Sequence, residues 1–281
     1  MGPTASGKTA KAIELVNKYP CEIISVDSSM VYKGMDIGTA KPSKQELAVA
    51  PHHLIDIRDP KDTYSAADFR EDALEKIEEI FAKNKIPLLV GGTMLYFNIL
   101  INGISDLPKA NQEIRNLLQQ EIETNGLLHL YKKLIKIDPD SAKRIKPNDK
   151  QRIQRALELY EITGLPMTEL LKIHKPKPLP YKSINYALMP TSKEELQKNI
   201  EKRLKEMLKN GFIEEVEILH KREDLTINTP AMRAVGYRQI WQYLDGDLPH
   251  NGLEEKIIIA TRQLAKRQTT WLNNWPNLKI T

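Results

Sequence analysis

The sequence has 281 residues with a net charge of +5, and 41% of them are hydrophobic and 28% charged, as in an ordinary soluble globular protein. No apolar run approaches the ~20 residues that a membrane-spanning helix needs. The single cysteine, Cys21, excludes an internal disulfide and a cysteine-based zinc cluster. Because the sequence opens on a glycine-containing loop, we expect no secretory leader. We therefore expect one or two domains, no membrane association and a cytoplasmic location.

The positive charge is distributed unevenly. Residues 109–182 contain 15 lysines and arginines against 9 aspartates and glutamates, and residues 260–281 contain basic residues but no acid. Two basic regions on an otherwise near-neutral chain favour a polyanionic partner. Solvated helix faces also collect charge, so the pattern alone leaves both interpretations open.

The first nine residues contain the clearest motif, because they fit G-x-x-x-x-G-K-[ST] at every fixed position. In this motif, glycines let backbone amides approach an anion at a helix N-terminus. We expect Lys8 to reach the outer phosphates of a ligand and the Thr9 hydroxyl to bind Mg²⁺. The predicted diphosphate- or nucleotide-binding residues are Gly2, Pro3, Thr4, Ala5, Ser6, Gly7, Lys8 and Thr9.

Strands and helices alternate after this loop. Buried strands are predicted at residues 22–26, 53–57 and 87–90. Ser65 with Asp68 forms a capping box at the start of a helix. This alternation predicts a parallel sheet with helices on both faces. A ligand in such a fold lies beyond the carboxyl ends of the strands, where the loop, Asp27 and Thr93 would converge.

The alternation gives way to a helical pattern from about residue 111 to residue 174, with breaks at Pro139 and Pro147. A proline-rich segment at residues 175–180 ends it. We predict an α/β core formed by residues 1–110 and 178–281. An inserted all-helical domain at residues 111–177 would carry most of the excess positive charge.

Residues 184–190 predict a return strand to the sheet, and Ser192 with Glu195 predicts the cap of a helix that ends before Gly211. Arg203 lies within the apolar stripe of this helix rather than opposite it. A buried charge is costly unless it is paired or meets an anion. A carboxylate partner, a snorkelling side chain and a bound anion are the alternatives.

The acid nearest the phosphate loop is Asp27, because the strand at 87–90 ends in Gly91-Gly92 without a carboxylate. Asp27 could steady a metal through water or act as a general base, and small-molecule kinases also place an acid here. Residues 233–238 and 262–272 mix basic, amide and aromatic side chains, as RNA-binding surfaces do. Aromatic residues such as Tyr237 and Trp271 are also common in protein cores.

Several segments together resemble one protein family. They are residues 2–9, 27–42, 51–56, 64–69, 91–97, 147–152 and the two C-terminal basic stretches. Through these segments, which extend across nearly the whole chain, the sequence resembles the tRNA dimethylallyltransferases. These bacterial enzymes prenylate the adenine next to the anticodon.

The resemblance implies a P-loop NTPase-like core and transfer of a dimethylallyl group from its diphosphate to N6 of the adenine 3′-adjacent to the anticodon (position 37), in tRNAs that read codons beginning with U. Diphosphate would be released from the phosphate loop, where Mg²⁺ and Lys8 neutralise its charge. Asp27 matches the family's general base, and Arg203 matches an arginine that contacts the diphosphate. Lys8, Asp27 and Arg203 are thus the predicted catalytic residues, and Thr9 the metal ligand.

The same resemblance implies a set of residues that contact tRNA. They are Asp27, Ser28, Ser29, Met30, Thr93, Arg115, Gln151, Arg152, Ile153, Gln154, Arg155, Arg233, Ala234, Val235, Gly236, Tyr237, Arg238, Lys266, Arg267, Gln268, Thr269, Thr270, Trp271, Leu272 and Asn273. The inserted domain would grip the anticodon stem-loop, and the target base would leave the loop stack. The expected partners are tRNA and dimethylallyl diphosphate, with the protein a monomer.

Two alternatives stay open beside this function. One is a phosphate-loop kinase or a prenyltransferase that acts on a free adenine nucleotide, and the other is an RNA-binding protein with an inactive site.

Members of the family also carry an apolar strand before the phosphate loop, and this sequence starts where that strand would end. We therefore expect the sheet to lack its first strand, which is a central one, and the 281-residue form to be poorly stable and weakly active.

Overall fold

The computed structural model describes residues 1–280 and has a small parallel sheet with many helices, so its class is mixed α/β. Its contacts divide the chain into two units. The first unit comprises Met1–Ile101 and the segment from Pro180 onward, and the second comprises Asn102–Leu179. No helix within residues 1–280 has both the length and the apolar character that a membrane crossing requires.

The elements that precede the second unit alternate between helix and strand. They are α1 (Lys8–Lys18), β1 (Cys21–Val26), α2 (Lys44–Val49), β2 (His52–His53), α3 (Ala66–Ala82), β3 (Ile86–Gly91) and α4 (Met94–Asn102). The elements that follow it are β4 (Tyr186–Ala187), α10 (Lys193–Lys209), α11 (Phe212–His220), a 3₁₀ helix (Pro230–Arg233), α12 (Tyr237–Leu244), α13 (His250–Asn273) and β5 (Lys279–Ile280). Between them, the second unit contains α5 (Gln112–Asn125), α6 (Leu127–Ile137), α7 (Pro139–Arg144), α8 (Lys150–Thr163) and α9 (Met167–Ile173).

The main sheet has three parallel strands in the order β2-β1-β3. β1 pairs along its whole length with β3, from Cys21 opposite Ile86 to Val26 opposite Gly91. The apolar residues of β1 are almost completely buried, as expected for a central strand of a parallel sheet. The parallel arrangement and the strands predicted at residues 22–26 and 87–90 are confirmed.

The strand predicted at residues 53–57 is wrong, because β2 contains only His52 and His53. The backbone φ angles of Leu54 and Asp56 are 64° and 56°. These values lie in the left-handed region, which extended strands do not use. The chain therefore turns away from β1 after two residues.

Both helix caps predicted from sequence are confirmed. The Ser65 side chain accepts from the Asp68 amide, and Asp68 caps Ser65 in return at the start of α3. The Ser192 side chain accepts from the Glu195 amide, and α10 ends at Lys209, before Gly211. These motifs involve neighbours in sequence, so the local pattern is enough to predict them.

The predicted return of residues 184–190 to the main sheet is wrong. β4 pairs instead with β5 in a separate two-stranded parallel sheet, with Tyr186 opposite Lys279. On its other side, Leu188 donates a backbone hydrogen bond to Met1 at 2.9 Å. The apolar pattern predicted an extended segment correctly, but the pattern does not specify the pairing partner of a strand.

The second unit has its own helical core, formed mainly by leucine and isoleucine side chains. The buried members of this core are Leu118, Leu130, Leu134, Ala142, Ile145, Ile153, Ala156 and Leu157. Side-chain caps at Asn111, Asp138 and Asp149 begin three of its helices. The helical character predicted between residues 111 and 174 is confirmed.

Candidate functional site

A cavity of about 770 Å³ lies at the carboxyl ends of β1 and β3 in the first unit. Its polar lining includes residues 4–10 of the phosphate loop and α1, Asp27 after β1, and Arg203 from α10. Apolar side chains from α10 and α13, such as Leu204 and Ile257, line another part. The fold thus brings the three predicted catalytic residues, Lys8, Asp27 and Arg203, to one cavity.

The phosphate loop leads directly into α1, whose N-cap is Gly7 with a φ of 81°. This left-handed conformation favours glycine. No side chain caps the helix, and its first turn contains no acidic residue. The first amides of α1 therefore keep their unpaired donors and partial positive charge, which is the usual arrangement of an anion site.

Lys8 points back onto its own loop, where its Nζ atom donates to the Pro3 carbonyl at 2.5 Å. It forms no ion pair within residues 1–280. Burial lowers the pKa of Lys8 to about 8, while nearby Asp27 raises it and Arg203 lowers it further. A buried ammonium without a carboxylate partner is costly, and a bound anion would offset that cost.

The hydroxyl oxygen of Ser6 is buried and has no hydrogen-bond partner within residues 1–280. An unsatisfied buried polar atom in a phosphate-type loop is consistent with a site for a polar ligand.

The donors at this site also suit Mg²⁺ bound together with a diphosphate. Thr9 and Asp27 both line the cavity and carry oxygen donors. Mg²⁺ typically takes one or two protein oxygens and fills its remaining positions with phosphate oxygens and water. Residues 1–280 contain no cluster of three or more His, Cys, Asp or Glu that could form an all-protein metal site. The residues present therefore fit Mg²⁺ only in company with a phosphate ligand.

The carboxylate of Asp27 is held by the turn that follows β1. Its Oδ1 atom accepts from the amides of Ser29 at 2.9 Å and Met30 at 3.3 Å. The Thr93 hydroxyl accepts from the Ser28 amide at 3.1 Å, so a residue after β3 braces the same turn. These bonds fix the carboxylate through one oxygen and leave Oδ2 for other chemistry.

Arg203 takes the inward position that the helix pattern predicts, between the buried Ile200 and Leu204. The alternative of a carboxylate partner is wrong, because the guanidinium donates to the Thr39 carbonyl at 3.1 Å and forms no ion pair within residues 1–280. Burial lowers the pKa of Arg203, and nearby Asp27 opposes that shift. Most of its five N–H donors stay available to a ligand.

Sequence reasoning missed Glu215, which organises the segment beside Arg203. Its carboxylate accepts from the amides of Asp36 at 2.8 Å, Ile37 at 2.7 Å and Gly38 at 3.1 Å. The Tyr237 hydroxyl also donates to it. No local pattern could have found Glu215, because the backbone amides that it binds lie almost 180 residues earlier.

The predicted tRNA contacts of the first unit divide into exposed and buried residues. Arg233, Arg238, Lys266 and Arg267 are exposed, and Trp271 is 43% exposed. Their positions allow contact with a large anionic partner.

Two other residues of this set have buried side chains, and their contact with tRNA stays a prediction. Tyr237 is 0% exposed and packs against Phe212, and Leu272 is 1% exposed on the inner face of α13. Tyr237 comes directly before the exposed Arg238 and Leu272 directly after the exposed Trp271, but the helix turns Tyr237 and Leu272 towards the core.

In the second unit, the Ile153 side chain likewise belongs to the buried core. Arg115 and Arg155 both pair with Glu158, whose carboxylate is completely buried, at 2.8 Å and 2.7 Å. Burial raises the pKa of Glu158, but the hydrogen bonds from the two arginines outweigh this and hold it below its usual value. Arg152 contrasts with them, because 73% of its side chain is exposed.

Comparison with known proteins gives a consistent result. The family model described as IPP transferase matches residues 30–275. The tRNA isopentenylpyrophosphate transferase of Bacillus halodurans is 36% identical, with a TM-score of 0.71 over 100% of this chain and 87% of that one. The tRNA delta(2)-isopentenylpyrophosphate transferase of Staphylococcus epidermidis is 34% identical, with a TM-score of 0.70 over 100% and 91%. A eukaryotic dimethylallyltransferase acting on tRNA is 30% identical, with a TM-score of 0.81 over 96% and 68%.

Proposed function

The chain belongs to the IPP transferase family and is a tRNA prenyltransferase, and we propose that it transfers a dimethylallyl group from dimethylallyl diphosphate to N6 of the adenine that follows the anticodon. Its substrates would be the tRNAs that read codons beginning with U. The proposal is carried by one observation. Lys8 and Arg203, two cations that have no carboxylate partner within residues 1–280, share a cavity with the Asp27 carboxylate.

The diphosphate of the prenyl donor would occupy the phosphate loop. Burial disfavours the charged forms of both Lys8 and Arg203, and a ligand with several negative charges would offset this cost. The free amides at the start of α1 supply further donors. The unpartnered Ser6 hydroxyl would gain a phosphate oxygen as its partner.

Asp27 would act as the general base on the incoming adenine. Its Oδ1 atom is engaged by two backbone amides, so Oδ2 would take a proton from N6. The N6 lone pair forms the new C–N bond to the first carbon of the dimethylallyl group. The C–O bond to the diphosphate breaks, and diphosphate leaves with the bonding electron pair.

Negative charge develops on the diphosphate as this bond breaks, and Lys8 and Arg203, which both line the cavity, would stabilise it. The Thr9 hydroxyl, together with the diphosphate, would hold Mg²⁺, whose positive charge would further neutralise the leaving group. The exposed basic residues of α13 and of residues 233–238 would bind the tRNA backbone. We also propose that the enzyme acts as a monomer, in the cytoplasm where its tRNA substrate is found.

Labelled dimethylallyl diphosphate tests this function directly. The enzyme is incubated with the donor, Mg²⁺ and unmodified tRNA, and in parallel with free adenine nucleotide. We expect label in tRNA, on the fragment that contains the adenine after the anticodon, and none when that adenine is replaced by guanine. Label on the free nucleotide, or on neither acceptor, would overturn the proposal.

A further inference from the structure

The carboxamide of Gln268, on α13, connects the phosphate loop to the end of β3. Its Oε1 atom accepts from the Thr4 amide at 2.8 Å, and its Nε2 atom donates to the Gly92 carbonyl at 2.8 Å. Thr4 lies 264 residues and Gly92 176 residues away in sequence. The carboxamide oxygen must face a donor and the carboxamide nitrogen must face an acceptor. The two contacts together therefore fix the orientation of the Gln268 side chain.

The contact also determines which backbone amides of the phosphate loop can bind an anion. The Thr4 amide points to Gln268 and is therefore withdrawn from any anion in the cavity. The amides that remain for an anion are those that follow it, up to the start of α1. Gln268 consequently fixes the point from which the anion-binding part of the loop begins.

The carboxamide of Gln268 can come this close to residue 92 because glycine has no Cβ atom. A Cβ atom added at Gly92 would lie 2.5 Å from Nε2 of Gln268, closer than such atoms come in proteins. The atom it would meet is the tip of a flexible side chain, so alanine at this position would displace the carboxamide rather than the backbone.

We propose that Gln268 is a positioning residue that holds the phosphate loop in its diphosphate-binding conformation, and that it is not a tRNA contact. This inference rests on the proposed function, because it takes the ligand of the loop to be a diphosphate. The contact also ties α13, which carries the exposed Lys266 and Arg267, to the phosphate loop.

Gln268→Leu removes both hydrogen bonds and keeps a similar size. We expect it to weaken binding of inorganic pyrophosphate, measured by calorimetry without tRNA, by about tenfold, since two ordinary hydrogen bonds are lost. The affinity for tRNA, measured without a prenyl donor, should stay within about twofold of wild type. Asn251→Leu, which replaces an exposed carboxamide near the start of the same helix, is the matched control and should change neither affinity.

Gly92→Ala approaches the same contact from its other side and leaves Gln268 intact. It should reproduce the loss of pyrophosphate affinity. The double variant should be no weaker than Gln268→Leu alone, because both changes remove one interaction. Additive losses of pyrophosphate affinity would mean that the new methyl group obstructs the ligand directly. They would overturn the positioning role of Gln268.

Hydrogen exchange of the Thr4 amide tests the positioning role of Gln268 independently of the proposed function. In the unliganded protein this amide should be protected, and Gln268→Leu should raise its exchange rate while the protection of the β1 amides is retained, which shows a folded protein. Unchanged exchange at Thr4, or lost tRNA affinity with unchanged pyrophosphate affinity, would overturn the positioning role. If the Thr4 amide loses protection in Gln268→Leu but the wild-type enzyme transfers no prenyl group, the positioning role of Gln268 is supported and the proposed function is wrong.

Discussion

The hydroxyl of Tyr237 donates to the carboxylate of Glu215, which also accepts from three consecutive backbone amides, those of residues 36–38. Burial and the adjacent Glu215 raise the pKa of Tyr237, so the phenol stays protonated and remains a donor. The segment held in this way ends at Thr39, whose carbonyl accepts from Arg203. Glu215 therefore stabilises the segment of residues 36–39, and this segment positions Arg203 at the cavity.

Glu215→Gln should destabilise the protein, because the amide nitrogen of glutamine cannot accept a hydrogen bond and would face backbone donors. We expect a loss of about 1–3 kcal/mol in the free energy of unfolding, measured by urea denaturation. The KM for dimethylallyl diphosphate should rise as Arg203 loses the fixed Thr39 carbonyl. Glu214→Gln, at an exposed position of the same helix, is the control. Equal stabilities for the two variants would contradict the role of Glu215.

Asp27→Asn separates the chemistry of Asp27 from its structural role. Asparagine keeps an Oδ1 acceptor for the amides of Ser29 and Met30, so the turn after β1 should be retained. It cannot take a proton, and kcat should fall by about 10²–10⁴-fold with little change in tRNA affinity. Asp27→Ala is the comparison, since it removes the acceptor as well and should also disturb the turn. Retention of near-normal kcat in Asp27→Asn would exclude Asp27 as the base.

Lys8 should make stability and diphosphate affinity depend on pH in opposite directions. Its pKa is about 8 in the folded protein against an ordinary value of 10.5, mainly because of burial. Between these two values the unfolded chain holds more protons on Lys8, so the free energy of unfolding should rise with pH across this range. Diphosphate affinity should fall above about pH 8, where Lys8 in the free enzyme becomes neutral.

Lys8→Met tests both statements. It should stabilise the unliganded protein at pH 7 by up to about 3 kcal/mol, the cost of the lowered pKa, reduced by loss of the bond to Pro3. It should also greatly weaken binding of pyrophosphate in calorimetry. Lys11→Met, at an exposed position of the same helix, should change neither property appreciably. A destabilised Lys8→Met protein would show that the charge is better accommodated than its burial indicates.

Sequence reasoning succeeded where neighbours in the chain determine the structure. The Ser65–Asp68 capping box, the buried strand β1 and the inward side of α10 that carries Arg203 all follow from patterns within a few residues. The family resemblance, which combines many such segments, is confirmed by the match over residues 30–275.

The sequence pattern failed where distant backbone groups decide the outcome. Three contacts join segments that lie far apart in sequence. β4 pairs with β5, Arg203 donates to a backbone carbonyl rather than to a carboxylate, and Gln268 accepts from the Thr4 amide. Backbone carbonyls and amides are present at every residue, so no residue type marks the ones that will be used. The buried Leu272 shows the same limit, because a basic and aromatic stretch does not reveal which helix face is covered.

Arg152 and Arg155 offer a final comparison within one helix of the second unit. Arg152 is exposed and pairs with Asp149 at 3.3 Å, which contributes little to stability. Arg155 pairs with the buried Glu158 and also donates to the Pro108 carbonyl at 2.6 Å. The two arginines should therefore respond differently to replacement by alanine.

Arg152→Ala should weaken tRNA binding and reduce the slope of log affinity against log salt by about one, with an unchanged free energy of unfolding. Arg155→Ala should cost about 1–3 kcal/mol of stability, because part of the pairing of a buried carboxylate is lost. Urea denaturation together with tRNA titrations at several salt concentrations measures both quantities. If Arg155→Ala changed only the salt slope, Glu158 would be satisfied without it and Arg155 would serve the tRNA instead. A fall in stability for Arg155→Ala with a normal salt slope would establish it as a structural residue of the helical unit.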